Sequence, residues 1–403
     1  MKHRSIVMTL VLALAVSLVV APIGAQDAAL TIYADETRSG PLADLGEQFE
    51  ADTGIALEIV EFPSAEIRDQ FTTAAPAGEG PDIVVGAHDW LGELVVNGLL
   101  EEVDLGDKAE LFTESSVNAF NYEGTIYGMP YAVENVALYY NTSLVEEAPT
   151  TWAEVREISE SLVESGDSEF GWVIQENDPY HFFPVQTAFG GFVFGFDAAT
   201  GYNPAEVGID SEGTVAAFTF LDEYVQAGLM PTGLDGDSMN ILFEEGQAAM
   251  VISGPWNLGR YQDALGDNLG IAALPGTEDA ETGSPFLGVQ GFMISAFSEQ
   301  QELANLFLTE YVATEEVMQL LYDAQPRPPA FIPVGEALED ESLAAFTAAG
   351  ANGLAMPAIP EMSAVWANWG GAMEQIVQDR AEPDDALTAA AESIREAIAG
   401  EGE

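Results

Sequence analysis

The chain reads as an α/β protein. Three observations predict it: short apolar runs of strand type recur through the 403 residues, stretches with helical apolar spacing separate them, and neither a fixed-period repeat nor a low-complexity linker breaks the alternation. Alternation of this kind builds a mostly parallel sheet with helices packed on it.

The elements follow in order. Residues 30–34 form a strand, and Leu42, Leu45 and Phe49 share one face of a helix over 42–52 that Gly54 can stop. Residues 56–62 are the next strand, and Ser64 can cap a helix running to Ala75. Residues 82–85 are a short strand bounded by Gly80-Pro81 and Gly86; residues 91–96 start a helix that Gly98 can end. After Gly128-Met129-Pro130 the pattern restarts with a strand at 137–141. Thr151 and Glu154 then make a capping box for a helix closing near Gly166. A long amphipathic helix spans 211–227, and strands at 248–253 and 269–274 are separated by Gly254-Pro255-Trp256. A surface loop over 276–285 precedes a strand at 291–296. Ser298 with Gln301 reads as a second capping box, opening a helix to Val312, and further helices follow at 314–322, 363–377 and 384–399.

Lys2 and Arg4 precede an apolar run from Ile6 to Val20 and then small residues to Ala25, the pattern of a secretory signal covering 1–25. An uncleaved membrane anchor is the alternative, because the run is near the short limit for a bilayer. Export to the periplasm or exterior is therefore expected. The chain has no cysteine, so neither a disulfide nor a lipid-modified cysteine supports it, and its length leaves room for two large domains. Acidic residues number 68 against 10 basic ones, a net charge of −58, and such a field repels nucleic acid and anionic membranes. It also repels itself unless salt shortens the Debye length, about 10 Å at 0.1 M and about 3 Å at 1 M. A halophilic, saline setting is expected.

The most informative stretch is GPDIVVGAHDWLGELVVNGLL, residues 80–100, because it leaves His88, Asp89 and Trp90 on a strand-to-helix loop. Loops at the carboxyl ends of strands are where open α/β sheets bind small ligands. Aspartate accepts hydrogen bonds from hydroxyls, and an indole covers the apolar face of a pyranose, so the pair suits a sugar. The alternative is a helix-capping Asp89 and a packing Trp90.

Six blocks carry a family resemblance: FEADTGIALEIVEFP (49–63), GEGPDIVVGAHDWLG (78–92), YGMPYAVENVALYYN (127–141), TTWAEV (150–155), GQAAMVISGPW (246–256) and MPAIPEMSAVW (356–366). Their order resembles that of maltodextrin-binding proteins, the exported solute receptors of ATP-driven (ABC) sugar importers. The resemblance implies a two-lobed periplasmic-binding-protein fold of class II type, with residues 26–133 plus 287–338 in one lobe and 134–286 plus 339–403 in the other. A ligand cleft would lie between lobes joined by hinge segments and closing by hinge rotation. It implies an oligosaccharide or disaccharide ligand, a membrane permease partner, a monomeric receptor, no cofactor and no catalysis.

Position by position, the resemblance makes Arg38 the basic residue of the first cleft loop, with Glu36 and Thr37 beside it. Asp89 matches a hydroxyl-binding aspartate and Glu134 a glutamate near the first hinge. Pro179 and Tyr180 fall on a Glu-Pro-Tyr motif, with Asp178 or Glu176 in the glutamate role, and Trp256 and Trp366 match two aromatic platforms. Gly86 stands where the family has tryptophan, and Trp90 where it has arginine; Ala367 and Gly370 replace a tyrosine and an arginine. The sugar therefore need not be maltose. Trp369 follows Trp366 by three residues and offers a further aromatic face, with core packing as its alternative.

Two other classes compete. Asp89 and Glu134 across a cleft would suit a secreted carbohydrate hydrolase. Tyr139-Tyr140 resembles the paired tyrosines of ferric-ion receptors, although strand alternation points them to opposite faces. His88 and His181 have no second ligand at a metal spacing. Because cations are scarce, an acid such as Glu134 is expected to lack a charged partner and to need hydroxyl donors. Trp152 and Trp172 read as structural.

Overall fold

The computed structural model describes residues 29–197 and 201–401. The expected leader, 1–25, lies outside the described residues. Among the described residues no helix is long and apolar enough to cross a membrane.

Apolar strand residues build two main sheets, beside two that have only two strands each. The larger runs in the order Leu354–Ala355, Phe286–Ser295, Ile83–Ala87, Ala29–Asp35, Ala56–Phe62, and two further strands, Leu100–Glu101 and Met129–Glu134, also pair with Phe286–Ser295. Ala29–Asp35 is parallel to both neighbours, whereas Phe286–Ser295 runs antiparallel to Ile83–Ala87. The smaller sheet is ordered Leu269–Ala272, Ala137–Asn141, Ala248–Ser253, Phe170–Val173, and only its last pair is parallel. The expectation of mostly parallel sheets is thus corrected. The chain leaves the larger sheet through Met129–Glu134, enters the smaller one directly at Ala137–Asn141, and returns along Phe286–Ser295 in the reverse direction, which forces antiparallel pairing.

The larger sheet has a core on each face, and the smaller sheet has a third, into which Phe286 of the larger sheet also packs. In the larger, Ile83 and Val85 face Leu30, Ile32, Phe292 and Phe307, while Val84 between them faces Phe71, Leu91 and Met293. Period-two alternation on a strand covered on both sides requires this, and each fully buried valine or isoleucine contributes about 1.5–3 kcal/mol. In the smaller, Tyr139, Trp172, Val251 and Ile252 pack with Phe218, Trp369 and Leu387.

Local signals fared unequally. The Thr151–Glu154 capping box forms, and the helices Ser39–Thr53 and Trp152–Ser165 close on Gly54 and Gly166 at φ 76° and 78°. Ser64 does not cap its helix: its N–H donates to Glu36 Oε2 at 3.1 Å, and Ile67–Ala74 starts only after a further turn. The second capping box also fails, because Ser298 turns to Asp82 and Gln301 Nε2 donates to the Ala296 carbonyl. The strand expected at 291–296 is the ten-residue Phe286–Ser295, lengthened by its buried Phe286 and Val289. The helix expected at 363–377 splits into a 3-10 turn, Pro360–Ala364, and Trp366–Val377.

Candidate ligand cleft

The carboxyl ends of strands from both sheets converge on a cavity of about 540 Å³. Asp35 to Arg38 follow Ala29–Asp35, Gly86 to Trp90 close Ile83–Ala87, Glu134 ends Met129–Glu134, and Trp256 follows Ala248–Ser253. Asn177 to His181 enter after Phe170–Val173. The size suits a small ligand, and the position is that of ligand sites in α/β folds.

A buried polar floor is built from the first loop upward. Asp35 Oδ1 accepts the Thr37 and Arg38 amides at 3.0 and 3.1 Å and the Thr37 hydroxyl at 2.8 Å, while its other oxygen pairs with the Arg38 guanidinium. Arg327, 3% exposed, donates to Tyr131 Oη and Thr37 Oγ1, each at 3.0 Å. Its Nε lies 2.8 Å from Glu134 Oε1, an ion pair without hydrogen-bond alignment; Arg38 Nη2 approaches the same oxygen at 3.6 Å. Gln290 Nε2 donates to Glu134 Oε2 at 2.9 Å. The expectation that Glu134 lacks a cation is corrected. Two of the chain's few arginines are spent here because a buried carboxylate without a partner is far costlier than an exposed one.

Asp89 has a different environment. Burial pushes its carboxyl up from 3.8 to about 6, against the lowering influence of Arg68 and of the Trp366 indole N–H. A folded-state value above the unfolded one means the folded chain holds this proton more tightly. The resulting stability is complete below about pH 3.8 and is lost as pH rises through about 6. Asp89→Asn is therefore expected to stabilise the free protein at pH 7.5 by up to about 3 kcal/mol, with much less gain at pH 4.5. Urea unfolding of both proteins at the two pH values checks this; a gain that does not widen with pH would show Asp89 to be solvated. Beside it, burial drives the His88 imidazole down to about 4, and Nδ1 of this neutral ring accepts the Val289 N–H at 3.0 Å.

Aromatic rings supply the opposite wall. Asp178 caps the helix Pro179–Ala188 by accepting the Tyr180 and His181 amides at 3.1 and 3.3 Å, and its second oxygen meets His181 Nδ1 at 2.5 Å. Burial would raise the Asp178 carboxyl, yet the His181 charge and these hydrogen bonds hold it below the usual carboxylate range. The helix start aims Tyr180 and His181 at Trp256, with centroids 6.2 and 5.6 Å away. Trp366, at the N-terminus of Trp366–Val377, completes the wall.

Glu36, Thr37, Arg38, Asp89, Trp90, Glu134, Asp178, Pro179, Tyr180, Trp256 and Trp366 all border the cavity. Trp369 does not: it is fully buried and stacks behind Trp366 at 5.9 Å, because its helix face turns into the core. Between the alternatives for the capping acid, Asp178 borders the cavity, whereas Glu176 binds Gly233 and Gln378 away from it. Sequence reasoning missed Arg327, Gln290 and His181. A signal existed for Arg327, a scarce cation fixed between prolines in Pro326-Arg327-Pro328-Pro329. Tyr139 is buried and donates to the Gly254 carbonyl, far from an iron-ligating role, and among the described residues no cluster of histidines and carboxylates is arranged to hold a metal.

Strand ends from two sheets that border one cavity give this α/β chain a candidate small-molecule site. Residues 44–341 match the family of bacterial extracellular solute-binding proteins, and the chain is a member of it. It is 31% identical to a galactooligosaccharide-binding protein of Bacillus subtilis, over 91% of this chain and 88% of that one. It is also 31% identical to a maltotriose-binding protein of Pyrococcus abyssi, over 81% and 72%. A maltooligosaccharide ABC transporter solute-binding lipoprotein of Streptococcus pneumoniae is 27% identical, over 84% and 81%.

Proposed function

We propose that this protein is the exported receptor of an ABC importer for a neutral di- or oligosaccharide, and that it delivers the sugar to a membrane permease without chemical change. The observation that carries this reading is the pairing of walls in one cavity. Trp90, Trp256, Trp366 and Tyr180 offer apolar faces, while Asp89, Asp178 and the Glu134–arginine floor offer acceptors and donors. Pyranose rings present both chemistries at once. The relatives' names agree with it: they bind galactooligosaccharides, maltotriose and maltooligosaccharides.

The separate cores support two lobes, 26–133 with 287–338 and 134–286 with 339–403, hinged where the chain crosses between the sheets. A monomeric receptor then needs only hinge closure to enclose its ligand. The acidic surface supports a saline setting, where screening relieves its self-repulsion.

The test is calorimetry against galactooligosaccharides, maltose, maltotriose and trehalose, with solution scattering on the same samples. Binding of at least one saccharide together with a smaller radius of gyration is expected. Failure of every saccharide overturns the ligand class, and binding without contraction overturns the hinge.

A further inference from the structure

Two of the cavity's indoles lie over glycines. Ile83–Ala87 runs through the 3-10 turn His88–Trp90 into the helix Leu91–Val96, and Ala248–Ser253 runs through Pro255–Asn257 into Leu258–Leu265. The same order of strand, 3-10 turn and helix thus appears once in each main sheet. A Cβ built on Gly86 would overlap the Cε3, Cζ3 and Cη2 atoms of Trp90, and a Cβ on Gly254 would overlap the same three atoms of Trp256. Backbone conformation does not demand either glycine. Gly254 has φ −101°, and Gly86 is not among the positive-φ glycines. What excludes a side chain at both positions is the ring.

We infer that Gly86 and Gly254 are positioning residues, each leaving the space in which an indole settles against the cleft wall. Trp90 reaches back over the space that Gly86 leaves empty, so its ring packs on the strand. A ring seated on backbone has little freedom to turn away, so the ligand meets a prearranged platform. A ligand apposed to Trp90 must then offer it an apolar face.

That these rings hold a saccharide rests on the receptor reading above; the seat itself does not. The test is a mutant cycle on the full chain: Gly86→Ala, Trp90→Ala and the double variant, with thermal melts without ligand and calorimetry with the best-bound saccharide. Gly86→Ala is expected to lower the melting temperature by about 3 °C in the wild-type background and to have no such effect once Trp90 is alanine, because the added methyl then has room. Gly86→Ala and Trp90→Ala are each expected to weaken saccharide binding about tenfold or more, and the double variant no further than Trp90→Ala alone. If Gly86→Ala does not fold, a double variant as stable as Trp90→Ala supports the seat equally. An equal loss of stability from Gly86→Ala in both backgrounds overturns it. If no saccharide binds the wild type while the stability cycle remains non-additive, the seat stands and the saccharide reading falls. Gly254→Ala with Trp256→Ala provides the same cycle at the second site.

Discussion

Replacing Arg327 by methionine is expected to remove about 3–5 kcal/mol of folding stability, the largest loss from any single change in the cleft. Arg327 is 3% exposed and its partner Glu134 is 5% exposed by side chain, so neither charge has water to fall back on. Methionine keeps much of the length and loses every donor. Glu134 would keep only the Gln290 hydrogen bond at 2.9 Å and the Arg38 charge at 3.6 Å, and Tyr131 and Thr37 would each lose a donor at 3.0 Å. The loss measures the cost of a stranded carboxylate, which is distinct from the net worth of the pair. Adding Glu134→Gln to Arg327→Met should therefore return a good part of the stability. Urea unfolding in 0.1 M and 2 M sodium chloride is the measurement. Salt should stabilise the wild type by screening its acidic surface and leave the Arg327→Met deficit nearly unchanged, since a buried pair is screened far less. A deficit under about 1 kcal/mol would show the floor to be solvated, and a wild type indifferent to salt would remove the saline setting.

Trp256→Ala is expected to weaken every saccharide by roughly 30- to 100-fold, about 2–3 kcal/mol, with folding left intact. The indole stands at the cavity between His181 and Tyr180, and truncation removes a stacking face that any pyranose can use. Asp89→Ala should behave otherwise. Its carboxylate serves only ligands that present a hydroxyl at that point, so its loss should reorder the preference among sugars. Calorimetry of both variants against the same panel separates the roles. Wild-type affinity in Trp256→Ala, or a loss confined to one sugar, would make Trp256 a packing residue. A uniform loss in Asp89→Ala would make Asp89 structural.

Much of the cleft was legible before the structure because its residues sit at strand ends, where local pattern is strong. Asp89 and Trp90 are announced by the apolar strand Ile83–Ala87 that runs into their turn, and Trp256 by one that stops at Gly254-Pro255. Trp366 and Trp369 were harder to separate: helical spacing places them on neighbouring faces, and only packing against Phe286, Phe183 and the smaller sheet's core decides which one meets the cavity. Glu134 was misjudged for the same reason. Scarcity of cations along the chain says nothing about where they gather, and Arg38 and Arg327 come from segments nearly 300 residues apart.

By itself the sequence determined what short-range rules can carry: the strands Ala56–Phe62, Ala137–Asn141 and Ala248–Ser253, the Thr151–Glu154 cap, the glycine stops, the acidic surface and the kinship with solute receptors. Periodicity, capping and charge act over a few residues and survive any rearrangement of the rest. Tertiary structure alone decided the direction of Phe286–Ser295, the ion-paired floor under Glu134, the burial of Trp369 and the indoles over Gly86 and Gly254. Each of these depends on which distant segments share a volume, and close packing leaves one arrangement in which charges meet partners and rings find space.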